Sequence, residues 1–483
     1  MSEGSSVRPV HATIGTSPAG NAGFTNVAHF TNVTHASRRP GAAADGEPAP
    51  VGRLTRRNFL RLGASAAALL AAPAGLYGTL ARAAAARPVK VGVIGSLTGA
   101  VSVWGRVTRD GATLAVEQVN VAGGILGRPV ELIVEDDASA PDVGVRRARK
   151  LVLEDNVDVL IGVNHSGVLL SILEQLPSLN KVLIGTCATS AEATVQRFNK
   201  YIFRVHSNSD QEGMAGALYA ARFPYRRWSV IAPNYAYGYE TWGSFISYLK
   251  QLRPDIQILD VQAWPAFGAP DFTSHITRLR AARPEAVVSA MWGGDAVNLI
   301  RQMRRFRFLD GIALFSPAAL ALDVLYALGE EVPENLHSNA HGYWFEAPQA
   351  GREQANRTFV EAYYARFGEY PHSTAHATYT AVWAFKKAAE LAGTTGTDDL
   401  IAALEGLEVD FPGYKGYIRK EDHQIVHDQA WGRTVEAPDL PFRRRITDLQ
   451  WFKGEEITPS VEQVLRLRQS GERPDYYRYI IGA

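Results

Sequence analysis

Three short patterns contain the residue types that catalysis or metal binding requires. Gly92-Val93-Ile94-Gly95, followed by Gly99, lacks the G-x-G-x-x-G spacing of a dinucleotide-binding loop. His372 and His376 are four residues apart, but without the H-E-x-x-H pattern we interpret them as helix-face or core histidines. Glu135-Asp136-Asp137 has no phosphate-binding sequence beside it, so we interpret it as a loop cap. We therefore predict that the chain is not an enzyme and that it binds no cofactor and no metal.

Small hydroxyl-bearing residues recur where predicted strands end and helices begin. One such place is Gly162-Val163-Asn164-His165-Ser166-Gly167, and another is Thr186-Cys187-Ala188-Thr189-Ser190. In an open α/β sheet, ligands bind outside the carboxyl ends of the strands. Helix N-termini there provide N–H groups and a partial positive charge that suit a carboxylate. Helix capping alone would explain either stretch, and the two together favour a ligand site.

The elements that would position these residues form two arrays of alternating strands and helices. In the first array the sequence predicts strands at 89–94, 130–134, 157–162 and 182–185, with helices at 111–120, 143–153 and 165–176. In the second it predicts strands at 228–232, 256–261 and 286–290, with helices at 239–252, 272–282 and 296–306. This alternation predicts an α/β protein with two doubly wound parallel-sheet lobes. We expect a helix-rich stretch at 356–391 to return to the first lobe, and a strand at 445–452.

Composition narrows the possible classes of protein. The chain has 483 residues, of which 46% are hydrophobic, enough for more than one core. Its net charge of +1 gives no field that would attract nucleic acid, and we predict no nucleic-acid partner. Cys187 is the only cysteine, which excludes an intrachain disulfide and a cysteine-built zinc site.

The N-terminal residues have the features of an export signal. Residues 1–50 are rich in small and polar types, and we predict that they form a disordered leader. Thr55-Arg56-Arg57-Asn58-Phe59-Leu60-Arg61 precedes a mildly apolar run and an alanine-rich stretch. The paired Arg56 and Arg57 resemble a twin-arginine signal, so we predict that 51–86 is recognised by the twin-arginine translocase. We expect cleavage near residues 83–86, a periplasmic mature protein, and a translation start near Val51.

A series of short motifs extends from about Pro88 to at least Leu391. They are Val91-Gly92-Val93-Ile94-Gly95-Ser96-Leu97-Thr98-Gly99, Trp104-Gly105, Gly111-Ala112, Asn120-Val121-Ala122-Gly123-Gly124-Ile125-Leu126-Gly127-Arg128, Asp136-Asp137, Lys150-Leu151, Asp158-Val159-Leu160-Ile161-Gly162 and Tyr237-Gly238. In this order and spacing they resemble the periplasmic binding proteins of the branched-chain amino-acid (Leu/Ile/Val-binding) type.

The resemblance implies a Venus-flytrap architecture, in which two lobes joined by a three-stranded hinge close on a ligand. We expect an N-terminal lobe of 88–207 plus about 342–428, and a C-terminal lobe of 208–341 plus about 429–483. The implied function is an extracytoplasmic receptor that captures a small carboxylate, amide or amino acid and delivers it to an ABC importer. The implied partners are the permease subunits of that transporter.

The resemblance also assigns site residues by position. Ser166 and Thr189, with the backbone of Ala188, would hold the carboxylate of the ligand. Trp104 in the first lobe and Tyr237 in the second would line the pocket.

One departure from the family pattern bears on the ligand. Amino-acid-binding members place an acid in the second lobe to pair with the ligand's ammonium, and this chain has Ala318 there, within Phe315-Ser316-Pro317-Ala318-Ala319. A buried ammonium without a partner is costly, which argues against an ordinary α-amino acid. Asp295 would substitute from a neighbouring loop, or would cap the following helix. Amides, aromatic acids and other carboxylates therefore remain open.

Two other functions stay open at the level of sequence. A ligand-sensing receptor uses the same fold, and no sequence feature separates it from a transport receptor. A periplasmic oxidoreductase is consistent with twin-arginine export, but the missing dinucleotide and metal motifs argue against it.

Overall fold

The computed structural model describes residues 87–318, 320–334, 336–339, 346 and 348–482. The predicted leader (1–50), the export signal (51–86) with Arg56 and Arg57, and the cleavage region near 83–86 lie outside these residues. Among the residues that the structure describes, no helix combines the length and apolar composition needed to cross a bilayer.

The strands and helices are numbered along the chain. The strands are β1 Val89–Gly95, β2 Val130–Asp136, β3 Val159–Gly162, β4 Leu183–Gly185, β5 Ile202–Arg204, β6 Arg227–Ile231, β7 Gln257–Ile258, β8 Ala286–Ser289, β9 Ala313–Ser316, β10 His337–Asn339, β11 Glu408–Asp410, β12 Lys415–Ile418, β13 Ile425–His427, β14 Gln429–Glu436 and β15 Arg444–Phe452. The helices are α1 Ser102–Val121, α2 Pro141–Leu153, α3 Ser166–Leu173, α4 Leu176–Leu179, α5 Ser209–Ala220, α6 Ala236–Leu252, α7 Thr273–Ala281, α8 Gly293–Arg305, α9 Leu322–Leu328, α10 Glu353–Phe367, α11 Ser373–Ala392, α12 Thr397–Leu404, α13 Gly454–Ile457 and α14 Val461–Ser470.

The first sheet is parallel throughout, with the strand order β2-β1-β3-β4-β5. Helices cover both faces of this sheet. Along β3, Val159 and Ile161 pack with residues of α1 and α11, while Leu160 between them packs with residues of α2 and α3. Because successive side chains of a strand point to opposite faces, such a doubly covered strand requires a continuous apolar run.

The second sheet has the order β15-β14-β10-β9-β8-β6-β7. Its strands β6 to β10 pair in parallel, and β14 and β15 add an antiparallel edge. Val287 packs with residues of α7 and α8, and its neighbour Val288 packs with residues of α5 and α6. The two sheets confirm the prediction of an α/β protein with two parallel-sheet lobes.

In the part of the chain that the structure describes, three connections lead from one sheet to the other lobe: from β5 to α5, from β10 to α10, and from β13 to β14. The first and third crossings contact each other, because Ser207 Oγ lies 2.9 Å from His427 Nε2 and accepts a hydrogen bond from Gln429 Nε2 at 2.9 Å. The second and third also meet, since Gln349 Nε2 donates to Asp428 Oδ2 at 2.9 Å. The crossings therefore lie side by side, as a hinge between lobes requires.

The helices of the first lobe fit closely. Gly111 of α1 faces the backbone of α11, and a Cβ at this position would lie 2.2 Å from the carbonyl oxygen of Ala375. Only glycine allows α1 and α11 to approach this far. This contact joins the helix-rich stretch after residue 353 to the first sheet, as the sequence predicts.

Several elements differ from the predicted ones. Helix α1 begins at Ser102 rather than at residue 111, because Trp104 and Val107 extend its buried face. The strand predicted at 256–261 is reduced to Gln257–Ile258. Helix α5 was not predicted, because nearly all of its residues are buried and it has no polar face to reveal a helical period.

Candidate ligand-binding site

A cavity lies between the two lobes. It is lined by residues that follow the carboxyl ends of strands in both sheets, as expected for ligand sites in open α/β sheets. The lining residues are Trp104, Asn164, Ser166, Cys187, Thr189, His206, Glu212, Tyr235, Tyr237, Trp292, Pro317, Ala318, Ala321 and Ser373. The structure thus brings together four of the residues predicted from the sequence to bind the ligand: Ser166, Thr189, Trp104 and Tyr237.

The polar side of the cavity is built at the start of α3. His165 is the N-cap of this helix, and its Nδ1 accepts a hydrogen bond from the Gly167 N–H at 3.1 Å. Ser166 follows as the first helical residue, and its Oγ accepts from the Ser190 N–H at 3.3 Å. Because α3 begins here, its partial positive charge points at the cavity.

The Thr189 hydroxyl is the strongest sign that this side of the cavity binds a ligand. Thr189 is only 7% exposed, and its Oγ1 has no hydrogen-bond partner among the described residues. Buried hydroxyls in native proteins are nearly always hydrogen-bonded, and one without a partner costs about 1–3 kcal/mol. A ligand oxygen in the cavity would remove this cost.

The opposite walls are aromatic. The ring of Trp104 meets that of Trp292 edge-on, with centroids 5.0 Å apart. Trp292 Nε1 donates to the Tyr235 hydroxyl at 3.0 Å, and the Tyr235 ring stacks on His165 at 4.3 Å. Tyr237 completes the wall. These rings would accept an apolar or aromatic ligand body.

Contacts across the cleft show that the lobes are closed. Trp104 Nε1 on α1 donates to Asp323 Oδ2 on α9 at 2.8 Å. The Gly294 N–H at the start of α8 donates to the Ala100 carbonyl at 3.3 Å. His165 and Tyr235, which stack on each other, also belong to different lobes.

A buried carboxylate also lines the cavity. Glu212 lies in the first turn of α5 and is 4% exposed. Burial raises the pKa of Glu212 to about 7, although His206 and Arg204 act in the opposite direction. The sequence analysis missed this residue. The sequence does contain a signal for the helix that carries Glu212, the capping box of Asn208 and Gln211, which starts α5 directly after the first crossing.

Two residues expected at the site are not brought to the cavity. The Ala188 N–H donates to the Val163 carbonyl at 3.0 Å and is therefore not available to a ligand carboxylate. Asp295 Oδ2 accepts from the Gly268 N–H at 2.8 Å, so this carboxylate holds a neighbouring loop. Ala318 does line the cavity, at the place where the family pattern has an acid.

Burial favours the neutral forms of three other titratable residues of the cavity. Burial lowers the pKa of His165 to about 4 and raises the pKa of the Cys187 thiol to about 12. Burial also raises the pKa of the Tyr237 hydroxyl well above its ordinary value. The negative charge that this cavity can carry therefore lies on Glu212.

The patterns first considered for catalysis have structural roles. His372 caps α11 by accepting from the Thr374 N–H at 3.1 Å, and His376 Nε2 accepts from the Gly413 N–H at 3.1 Å. Asp136 Oδ1 accepts from the Leu97 N–H at 2.8 Å, as a loop cap does. Within the described part of the chain, no group of three His, Cys, Asp or Glu residues is arranged to hold a metal ion.

Two parallel-sheet lobes that close over an interlobe cavity define a bilobed ligand-binding protein. Residues 88–437 match the model of the family described as Periplasmic binding protein, and the chain belongs to this family. The family is one of extracytoplasmic solute-binding receptors, so the chain is a receptor that captures a small ligand between its lobes.

Curated relatives and a solved structure agree with this membership. A Leu/Ile/Val-binding protein of Rhizobium johnstonii is 29% identical over 44% of this chain, and the match spans 58% of that relative, less than two thirds of its length. A leucine-, isoleucine-, valine-, threonine- and alanine-binding protein of Pseudomonas aeruginosa is 25% identical over 70% of this chain and 88% of its own. The solute-binding protein of an ABC transporter from Rhodopseudomonas palustris, solved with 3,4-dihydroxybenzoic acid, shares the fold with a TM-score of 0.67. It is 23% identical and covers 76% of this chain and 98% of its own.

Proposed function

We propose that the chain captures a small molecule bearing a carboxylate and delivers it to the permease subunits of an ABC importer. The carboxylate lies against Ser166 and Thr189 at the start of α3, and the body of the ligand lies among the aromatic side chains. The observation that carries this assignment is the buried Thr189 hydroxyl, which lines the cavity without a partner among the described residues.

Binding and closure are coupled in this proposal. The open form presents Ser166 and Thr189 on the first lobe, and a ligand that also touches Tyr237 on the second lobe favours the closed form. Micromolar binding requires about −8 kcal/mol, which a charge-assisted carboxylate contact and one buried apolar group can supply. The closed form is then the shape that the transporter recognises.

The names of the relatives guide the choice of test ligands. Proteins named for binding leucine, isoleucine and valine are 25–29% identical to this chain. Aliphatic amino acids and their desamino analogues therefore belong in a ligand panel, together with aromatic acids suited to the tryptophan and tyrosine walls.

Export completes the proposed function. The pair Arg56 and Arg57 directs the precursor to the twin-arginine translocase, and cleavage near residues 83–86 releases the mature protein. We propose lobes of 88–207 plus about 342–428 and of 208–341 plus about 429–483.

The test is a thermal-shift screen of the mature chain, from Arg87 onward, against this panel. A ligand that binds the folded state raises the melting temperature with its concentration. Ser166→Ala and Thr189→Val should each weaken binding of the hit about 10- to 150-fold, because each removes a hydrogen bond to a charged group. Thr380→Val is the control, since Thr380 is also a buried threonine but its hydroxyl donates to the His376 carbonyl within α11. No shift with any compound, or a hit that both site variants leave unchanged, would contradict the proposal.

A further inference from the structure

A second cavity lies between the second lobe and the C-terminal segment of the chain. One wall is helix α6, and the other is α14 together with residues 472–478 that follow it. Asp210, in the first turn of α5, also lines this cavity. Among the described residues, none lines both this cavity and the one between the lobes. The C-terminal wall lies beyond residue 437, where the family match ends, so we treat this cavity as a separate site.

The C-terminal wall is held in place at both of its ends. Arg468 of α14 donates to the Thr194 carbonyl at 3.1 Å, and Val464 of the same helix is buried among residues of the first lobe. At the other end, Trp242 Nε1 of α6 donates to the Tyr479 carbonyl at 2.8 Å. The cavity is therefore formed in advance, as most small-molecule sites in proteins are.

The Asp210 carboxyl group indicates that this cavity binds a ligand. Asp210 is only 6% exposed, and its Oδ1 has no hydrogen-bond partner among the described residues. Burial raises the pKa of Asp210 to about 7, although the charge of Arg204 acts in the opposite direction. Buried carboxyl oxygens in native proteins are nearly always hydrogen-bonded, because a missing donor is costly. A ligand that donates to Asp210 would remove this cost.

The position of Asp210 at the start of α5 does not by itself explain its burial. A carboxylate in the first turn favours the start of a helix through the partial positive charge there. This effect does not require that the carboxylate be taken out of water. The capping box of Asn208 and Gln211 already satisfies N–H groups at this helix start.

The charges around the cavity disfavour a charged ligand. The exposed residues of its lining carry both signs and are Arg466, Arg473, Arg478, Glu472 and Asp475. A cation would meet three guanidinium groups, and an anion would meet these two acids and Asp210. Magnesium and calcium ions require several oxygen ligands, and Asp210 is the one buried acid among the described lining residues. The lining therefore suits a neutral ligand.

Neutral hydrogen-bonding groups complete the lining. Ser247 and Gln251 of α6 and Gln463 of α14 provide hydroxyl and amide groups that both donate and accept. A ligand hydroxyl has the same double capacity, so a molecule with several hydroxyls can pair with acids, guanidinium groups and amides together. We infer that this cavity is a second binding site, for a neutral polyhydroxyl compound such as a sugar or polyol, and that a ligand hydroxyl donates to Asp210. This inference does not depend on the proposed function.

The experiment is isothermal titration calorimetry of the mature chain with trehalose and with myo-inositol. Putrescine, a diamine that is a cation at neutral pH, is the charged comparison. Sugars at high concentration stabilise any folded protein because they are excluded from its surface, so a melting temperature alone does not report a site. A specific site instead gives saturable heat, and we expect at least one of the two polyols to show it.

Two substitutions of equally buried aspartates separate binding from stability. Asp210→Asn should weaken polyol binding about 10- to 150-fold, because it removes a hydrogen bond to a charged group. It should leave the melting temperature without ligand unchanged or higher, since Asp210 Oδ1 has no hydrogen bond to lose. Asp158 is also 6% exposed, but its oxygens accept from the Lys90 N–H and the Thr395 hydroxyl, both at 2.8 Å. Asp158→Asn should therefore lower the melting temperature and leave polyol binding intact.

A third substitution tests the cavity without changing any charge. Ser247 is half-buried on α6 and lines the cavity. Ser247→Phe fills the cavity from this wall and should abolish polyol binding.

Each other outcome overturns the inference. It fails if neither polyol gives saturable heat, or if putrescine binds through Asp210 in place of a polyol. A lower melting temperature with unchanged polyol binding in Asp210→Asn would assign Asp210 a structural role at the start of α5. Displacement of the polyol by a carboxylate ligand of the interlobe cavity would place the polyol in that cavity instead. None of these results bears on carboxylate binding at Ser166 and Thr189, which the ligand screen tests separately.

Discussion

The hydrogen bond from Trp104 to Asp323 joins the two lobes, and its removal should oppose closure. Trp104 Nε1 donates to Asp323 Oδ2 at 2.8 Å, and the Asp323 side chain is only 6% exposed. When the lobes separate, both groups return to water. The bond therefore contributes to the closed form alone.

The expected magnitude follows from the charge on the acceptor. A hydrogen bond to a charged group contributes about 1.5–3 kcal/mol. In Trp104→Phe the closed form keeps a buried carboxylate that has lost its donor, so ligand affinity should fall about 10- to 150-fold. Asp323→Ala breaks the same bond from a side chain that does not line the cavity.

A double-mutant cycle separates this bond from direct contact with the ligand, because Trp104 also lines the cavity. Calorimetry with a hit from the ligand panel measures the ligand affinities of Trp104→Phe, Asp323→Ala and the double variant. The two losses should be strongly non-additive, with a coupling of about 1.5–3 kcal/mol. Small-angle scattering should show less compaction with ligand in each variant.

Trp264→Phe is the control for a lost indole donor. Trp264 and Trp104 are each 8% exposed, and Trp264 Nε1 donates to the Ile481 carbonyl at 2.9 Å, away from the cleft. This variant should lose stability and keep its affinity. Unchanged affinity in Asp323→Ala, or additive losses in the cycle, would refute the reasoning.

Two further predictions concern stability. Burial raises the pKa of Glu240 to about 8 despite its hydrogen bonds from Ser190 and Ser209, so the folded protein retains a proton that the unfolded chain loses. The contribution of Glu240 therefore falls as pH rises from about 4.5 to about 8, and melting curves should show the advantage of wild type over Glu240→Gln shrinking across that window. Gly213→Ala should lower the denaturation midpoint, costing about 1–3 kcal/mol, because its Cβ would lie 2.0 Å from Ser244 Oγ between α5 and α6. A midpoint equal to wild type would show that the two helices separate easily.

Much of the fold could be predicted because its central strands are buried on both faces. Strands such as Val89–Gly95 and Ala286–Ser289 are short apolar runs, and helices at regular spacing separate them. The antiparallel edge β14 to β15 was predicted only in part. Its first strand alternates small, aromatic and charged residues, and its pairing with β10 joins segments nearly a hundred residues apart.

The same distinction between local and long-range features explains which residues of the site could be predicted. Ser166 and Thr189 could be predicted because strand ends and helix starts are local features of the sequence. Glu212, Tyr235 and Trp292 were missed because their roles depend on closure of one lobe against the other. The position of Asp295 could not be predicted for the same reason, since only the folded chain shows that the Gly268 N–H donates to its carboxylate.

A crystal structure of the mature protein with a carboxylate hit from the screen tests the central claim most directly. We expect the ligand in the interlobe cavity, with its carboxylate within hydrogen-bonding distance of Ser166 Oγ and Thr189 Oγ1 and its apolar body between Trp104 and Tyr237. A ligand bound outside this cavity, or one whose carboxylate lies away from both hydroxyls, would contradict the account.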